Sequence, residues 1–361
     1  MMSKRIAWIL SGLLALPLTG CWDNNPLDDQ GIVMSIGIFP SSQKGDLRWI
    51  FTFPNVTLTP SSLANIKADK QYYDLTVNAP TFAEAVMKAQ EESSRIVYFG
   101  QLHNFMWPTT LSWQQLWPVV ASLNDVGSVP KTFWVMATKP SVKPIMKFVS
   151  PQVVAPRTYM ATYFDCSHCQ PIVLGQREWK FWSRAITPGI NPYAPVIDLE
   201  DNKLAIRQIL VYPPSGRPVV YSPEETRGFG FLSGKIKSAS LWLKWKGRQV
   251  GVSQLHDSHS ISARKAGDGI RVDETIRVKG FIEQPSPKSS SLRDQNLLRQ
   301  LAQQRILSWC LEAIHRANET HTDPFGYAES VLWSQDQKAK FLPIHARITV
   351  LVSLKGEGML R

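Results

Sequence analysis

After residue 30 the chain alternates short apolar runs with polar turns, a pattern typical of β-strands. Residues 31–39, 47–53 and 71–77 are such runs, and they are rich in β-branched and aromatic side chains. The pattern therefore predicts three strands at the start of a folded body.

A capping-box pattern predicts the first helix. Thr81 stands three residues before Glu84, so their side chains can satisfy backbone N–H groups at a helix start. We predict this helix over 82–94, with a buried face of Phe82, Ala85, Val86 and Ala89. The other elements predicted in this half are strands over 95–98, 102–107 and 132–138 and helices over 111–122 and 141–149. This order predicts an α+β domain with a mixed sheet over 31–195.

The chain changes character near residue 195. Residues 150–200 hold many prolines and predict irregular structure, with a linker over 188–195. After the linker, the pattern predicts strands over 203–211, 217–221, 236–243 and 270–282. In the last of these, apolar and charged residues alternate, as in a sheet with one face in solvent.

A long amphipathic helix is predicted over 292–318, after a Pro/Ser-rich connector at 283–291. Its apolar stripe consists of Leu298, Ala302, Ile306, Trp309, Ala313 and Ala317. A loop over 319–327, a short helix and an alternating strand follow. We expect a C-terminal α+β region over 196–361, with a β-rich part (196–283) and a long-helix part (292–361). For the entire chain, we predict a multi-domain α+β fold of mixed and antiparallel sheets packed by helices.

The first twenty residues have the layout of an export signal. Lys4 and Arg5 precede an uncharged apolar run over 6–18, which is shorter than a membrane-spanning helix requires. Leu-Thr-Gly then leads to Cys21, as in the lipobox of bacterial lipoproteins. We predict a lipoprotein signal peptide over 1–20, lipid on Cys21, a tether over 21–30 and no transmembrane span after cleavage. The alternatives are a plain secretory signal with a chance cysteine and an uncleaved anchor.

Composition and charge describe an ordinary globular protein with a basic surface. Of 361 residues, 43% are hydrophobic and 19% are charged, and the formal net charge is +11. On a membrane-tethered protein, this excess favours anionic headgroups or acidic partners. No basic run is dense enough to indicate nucleic-acid binding.

The three further cysteines do not form a recognisable metal-binding motif. Cys166 and Cys169 have C-x-x-C spacing, but a second ligand pair for structural zinc is missing. A local disulfide and a loop feature particular to this chain both remain open. Cys310 lies on the long predicted helix and is expected in the core.

No catalytic motif is found. The glycine-rich run over 228–235 fits neither a P-loop nor a dinucleotide fingerprint, and we expect a strand there. His256 and His259 flank Asp257 in a polar stretch that predicts a solvated loop, and His103 is expected to be a packing residue. We therefore expect no enzyme activity, no cofactor and no metal site.

The segment that begins at Cys21 resembles the start of mature spore germination receptor C subunits, the Ger(x)C lipoproteins. Those proteins begin with a lipidated Cys-Trp-Asp, a polar tether and a buried strand. Cys21, Trp22 and Asp23 match this start, whereas Phe39 stands where the family usually has Asp.

Two later segments carry the same resemblance. A Glu-Thr-Arg-Gly motif matches at Glu225, Thr226, Arg227 and Gly228. The turn after the long helix matches at Asp323, Gly326 and Glu329 and departs from the family at Tyr327 and Ala328.

The resemblance implies a lipoprotein on the outer face of the inner spore membrane. There it would be one subunit of a nutrient germinant receptor, beside an A subunit and a polytopic B subunit, and held to the phospholipid membrane by its lipid. The alternative is a lipid-anchored extracytoplasmic ligand-binding protein, which needs a pocket between domains with convergent polar groups. An exported hydrolase is disfavoured, because spacing identifies no nucleophile and base.

Overall fold

A computed structural model describes residues 26–43, 45–55, 71–139, 141–148, 159–166, 173–201, 203–213, 216–283, 292–332 and 341–356. The predicted signal peptide, Cys21, Trp22, Asp23 and Cys169 lie outside the described residues.

The described strands and helices follow one another in mixed order. The strands are β1 (Gln30–Ile32), β2 (Ser35–Pro40), β3 (Leu47–Pro54), β4 (Tyr72–Ala79), β5 (Ile96–Tyr98), β6 (Asn104–Pro108), β7 (Trp134–Lys139), β8 (Gln176–Arg177), β9 (Tyr193–Glu200), β10 (Lys203–Val211), β11 (Val219–Val220), β12 (Ala239–Trp245), β13 (Arg248–Ala266), β14 (Gly269–Glu283) and β15 (Ile344–Gly356). The helices are α1 (Phe82–Glu92), α2 (Trp113–Asp125), α3 (Val142–Lys147), α4 (Tyr159–Asp165), α5 (Glu178–Ile186), α6 (Pro223–Leu232), α7 (Leu292–Glu319) and α8 (Glu329–Leu332).

Three sheets organise these elements. The largest has the order β11-β10-β9-β7-β6-β2-β3-β4, with β8 beside β7, and it mixes parallel and antiparallel pairs. A second sheet has the order β12-β13-β14-β15, in which only β14 and β15 run parallel. The strands β1 and β5 form a small parallel pair. This arrangement confirms the predicted α+β class with mixed sheets.

Most elements of the first half lie where the pattern predicts them. Thr81 caps α1 by accepting a hydrogen bond from the Glu84 backbone N–H at 3.2 Å, and Phe82, Ala85 and Ala89 are buried. The core here lies between the nine-stranded sheet and α1, α2 and α5. No described helix is both long enough and apolar enough to cross a membrane.

The irregular structure expected over 150–200 is wrong for its described parts. Helices α4 and α5 form there, and the linker expected over 188–195 ends in β9. The strand β9 pairs with both β7 and β10, so it belongs to the interior of the large sheet. The expected boundary at 195/196 therefore falls within a strand. Pro188 and Pro192 precede β9, as is common for proline, whereas Pro195 lies inside this strand opposite Ile209.

The second core lies between the four-stranded sheet and α7. The predicted stripe of α7 is buried as expected, from Leu298 to Ala317. Two expectations in this half are wrong. Helix α6 replaces the strand expected over 228–235, and β13 runs through the stretch around His256 and His259 that was expected to be a solvated loop.

Candidate functional site

Helix α6 carries the Glu-Thr-Arg-Gly motif, and its first turn explains why it is a helix. Ser222 accepts a hydrogen bond from the Glu225 N–H at 3.1 Å, and Glu225 accepts one from the Ser222 N–H at 2.6 Å. Pro223 at the first helical position is compatible with this capping box. The Ser-Pro-Glu-Glu pattern is visible in the sequence, and it favours a helix more strongly than the glycines that follow disfavour one.

The motif side chains of α6 join it to both of its neighbours. Thr226 is fully buried, and its hydroxyl accepts a hydrogen bond from the Ile209 N–H of β10 at 3.2 Å. The Glu225 carboxylate lies 3.9 Å from the guanidinium of Arg316 on α7. Arg227 lies over the ring of Trp309, also on α7, at 5.2 Å from its centroid. These contacts fix α6 between the large sheet and the long helix.

Gly228 lies at a close approach between α6 and α7. A Cβ atom added there would lie 1.9 Å from the Trp309 carbonyl oxygen and 3.0 Å from the Ala313 Cβ. The neighbouring group is helix backbone, which cannot rotate away. Glycine is therefore required for this helix crossing, and not for a phosphate-binding loop.

Asp323 organises the loop that follows α7. Its carboxylate accepts hydrogen bonds from the backbone N–H groups of Phe325 (3.0 Å), Gly326 (2.8 Å) and Ala328 (2.7 Å). Burial raises the pKa of this carboxyl to about 6, although the three donors and Arg184 act in the opposite direction. The family turn is thus a loop closed around one buried acid.

The same loop interlocks with the turn before β9. The Asp323 N–H donates to the Asn191 side-chain oxygen at 2.6 Å, and the Asn191 N–H donates to the Asp323 carbonyl at 2.9 Å. Arg184 of α5 donates to the carbonyls of Asn191 (3.2 Å) and Pro324. Gly326 has a φ of +85°, and a side chain there would meet Ile190. The expected linker is therefore part of a tight junction.

A cavity of about 220 Å³ opens beside this junction. Its walls are mainly apolar and include Trp113, Ile190, Tyr212 and Phe341. Two of the polar side chains that line it are already engaged, since Asn191 donates to the Tyr212 carbonyl at 2.8 Å and the Asp323 carboxylate accepts from three backbone donors. The arrangement suits packing more than recognition of a polar ligand.

A buried charged cluster was missed from the sequence. His259 on β13 lies between two carboxylates, with Nδ1 at 2.7 Å from Glu274 and Nε2 at 3.3 Å from Asp257. The Tyr327 hydroxyl donates to Glu274, and Asp257 accepts from the Ile236 N–H at 3.0 Å. Glu274 was hidden in the alternating pattern of β14, and only strand pairing brings it to His259.

The two carboxylates hold His259 in its charged form. Burial alone would lower the pKa of His259, but the hydrogen bonds and negative charges of Asp257 and Glu274 raise it to about 9. Burial and the nearby Glu274 also raise the pKa of Tyr327 well above its ordinary value. The cluster is therefore an imidazolium held between two buried acids.

The remaining sequence candidates have ordinary surroundings. His103 is half-buried, and burial lowers its pKa, as expected for a packing residue. Cys310 is a free, buried thiol on α7. Cys166 is disulfide-bonded, which favours the oxidised alternative. Within the described ranges, no group of three or more His, Cys, Asp or Glu side chains could hold a metal ion.

Comparison with known protein families matches both halves of the chain. Residues 23–199 match the model described as the spore germination protein N-terminal domain. Residues 220–355 match the model described as spore germination B3/GerAC like, C-terminal. The chain belongs to the germinant receptor C-subunit family. It is therefore a component of a spore germination receptor, and its family is not one of known enzymes.

Individual relatives of this C subunit are distant. The spore germination protein YfkR of Bacillus subtilis (strain 168) is 20% identical over 341 residues, which cover 90% of this chain and 87% of YfkR. The crystal structure of the GerBC protein covers 89% of this chain and 98% of its own, with a TM-score of 0.51 and 11% identity. The latter similarity shows a shared fold.

The two described motifs of the C subunit meet at one junction. The Phe229 ring next to Gly228 lies 5.9 Å from the Phe325 ring of the Asp323 loop and 4.6 Å from Tyr193 of β9. Glu329 begins α8, and its carboxylate lies near Gly326. The motif residues therefore hold sheets and helices together, and sequence spacing alone gave no sign of this.

Replacing Asp323 should loosen the junction. We expect Asp323→Ala to lower the free energy of unfolding by about 2 kcal/mol or more, because one buried and two partly buried N–H groups lose their acceptor. Asp323→Asn keeps one acceptor oxygen, so its free energy of unfolding should lie between those of Asp323→Ala and the wild type. Asp268→Ala, at an exposed turn, is the control and should change stability by less than about 0.5 kcal/mol. Chemical denaturation measures all three, and equal stability of Asp323→Ala and wild type would contradict the assignment.

Proposed function

We propose that this C subunit is a lipoprotein anchored by lipid on Cys21 to the outer face of the inner spore membrane. It acts there by tethering and by contact with the A and B subunits of a nutrient germinant receptor, and not by catalysis. The observation that carries the proposal is the lipobox-like Leu-Thr-Gly-Cys21, placed directly before the family match that begins at residue 23.

The length of the tether supports attachment close to the membrane. The first described element is a 3-10 turn over Leu27–Asp29, which leads into β1. Even fully extended, the chain from Cys21 to Leu27 spans at most about 20 Å. A diacylglyceryl group supplies two acyl chains, and two are sufficient for stable attachment, whereas one is marginal.

The geometry of the motifs supports a role in contact and not in chemistry. Thr226, Gly228 and Asp323 each make internal contacts that position an element. Elements held in place by such contacts are suited to present preformed surfaces to neighbouring subunits.

Replacing the lipidated cysteine tests the anchor. We expect Cys21→Ala to abolish lipid modification, seen as loss of the diacylglyceryl mass at the N-terminus, and to impair nutrient germination. Cys310→Ala removes a different thiol and should leave modification and germination intact. Mass spectrometry of natively expressed protein with an unmodified Cys21 would overturn the anchor, and normal germination of Cys21→Ala spores would overturn its role.

A further inference from the structure

The outward face of the four-stranded sheet is strongly basic. Paired residues share a face, so the strand register defines its members. They include seven exposed Lys or Arg side chains and two acidic ones: Lys244, Arg264, Arg271, Arg277, Lys279, Arg347 and Lys355, with Asp273 and Glu283. We call this surface the basic face.

The charges of the basic face are not balanced by the residues that the structure describes. Arg264 and Arg271 are directly opposite each other across β13 and β14, and Arg271 also faces His345 on β15. Like charges in such positions destabilise a sheet. Arg347 lies 3.8 Å from Asp273, whereas the other six basic side chains form no ion pair with any residue that the structure describes. Among the described residues, this imbalance favours binding to an anionic surface.

The residue types on the basic face favour a lipid surface over a protein as its binding partner. Between the basic side chains lie mostly small hydroxyl residues, among them Ser258, Ser260 and Thr275, together with the exposed Leu351 opposite Arg277. The centre of a protein–protein interface is usually apolar and poor in charge, unlike this arrangement. Trp242, 66% exposed, projects from the same face near Lys244, and aromatic and basic side chains together are typical of the headgroup region.

We propose that the basic face binds anionic phospholipid headgroups, so that the protein body lies against the membrane that holds its N-terminus. The orientation rests on the proposed anchor at Cys21, because a tether of at most about 20 Å keeps the body near the bilayer. A basic side chain near an anionic surface strengthens binding about fivefold. Several acting together would hold the body in one orientation.

Amine reactivity in vesicles tests the contact. The full-length chain is reconstituted into vesicles of phosphatidylcholine alone or with about one-third phosphatidylglycerol, and acylation of Lys279 is followed by mass spectrometry. We expect Lys279 to react at least about fivefold more slowly in the anionic vesicles. The difference should vanish in about 0.5 M salt, since the Debye length then falls to a few ångströms.

Paired variants separate the basic face from charge in general. Arg271→Gln with Arg277→Gln should abolish the protection of Lys279. Lys143→Gln with Lys147→Gln, two exposed positions on α3, should preserve it. Three results would each overturn the proposal. The first is an equal acylation rate of Lys279 in both kinds of vesicle, and the second is an equal loss of protection in the α3 variant. The third is protection of Lys279 by a DNA duplex but not by anionic vesicles. Flotation with neutral vesicles reports attachment separately, so failure of the anchor is distinguishable from failure of the basic face.

Discussion

Gly228→Ala is expected to prevent stable folding of the α6–α7 crossing. The added methyl group would lie 1.9 Å from the Trp309 carbonyl oxygen and 2.4 Å from its carbonyl carbon. A methyl carbon makes favourable van der Waals contacts only near 3.5–4.0 Å, so the helices would have to separate by more than about 1 Å. Overpacking against side chains costs about 1–3 kcal/mol, and helix backbone yields less readily. We expect a loss of at least about 3 kcal/mol in unfolding free energy, or insoluble protein.

Gly127→Ala is the matched control for this substitution. A Cβ atom at Gly127 meets nothing within 4 Å, so the same chemical change should alter stability by less than about 0.5 kcal/mol. Denaturant titration and the soluble yield of both variants measure the difference. Wild-type stability of Gly228→Ala would show that the two helices do not meet as described.

His259→Gln should have the second-largest effect, because it removes the cation between two buried acids. The Glu274 side chain is fully buried and that of Asp257 is 1% exposed. Both carboxylates would lose their compensating charge and keep only the hydrogen bonds from Tyr327 and Ile236. Breaking a buried ion pair from one side costs about 3–5 kcal/mol. We expect a loss of that order at pH 6, measured by denaturant titration.

The pH dependence of stability gives this cluster a distinct signature. The pKa of His259 is raised from its ordinary 6.5 to about 9, so the folded state binds the proton more tightly than the unfolded chain does. The stabilisation is therefore complete below pH 6.5 and is lost as the pH rises through about 9. Each tenfold difference in proton affinity is worth about 1.4 kcal/mol, which corresponds to about 3 kcal/mol over this range.

His256→Gln provides the control, since His256 lies on the same strand but is exposed on the opposite face. It should retain both the stability of the wild type and its decline between pH 6.5 and 9. The decline should be absent from His259→Gln. A parallel decline in His259→Gln and His256→Gln would assign the pH dependence to other groups.

Local patterns predicted the first half well because each element there carries its own signals. Thr81 and Glu84 predicted the start of α1, and runs rich in aromatic and β-branched residues predicted β3 and β4 within two residues. The stripe on α7 was equally readable, since a long helix must repeat its apolar positions every three to four residues. Predictions were wrong where two local signals disagreed. In α6, the glycines indicated a strand, whereas the Ser222 capping box indicated a helix.

The sequence by itself determined the α+β class, the order of most elements and the family, because caps, periodicity and motifs are properties of neighbouring residues. Only the tertiary structure decided three contacts. Gly228 lies where α6 crosses α7, the Asp323 loop is hydrogen-bonded to Asn191, and His259 is hydrogen-bonded to Glu274. Each of these contacts joins residues distant in the chain. Their roles follow from strand pairing and helix packing, which spacing along a single sequence does not specify.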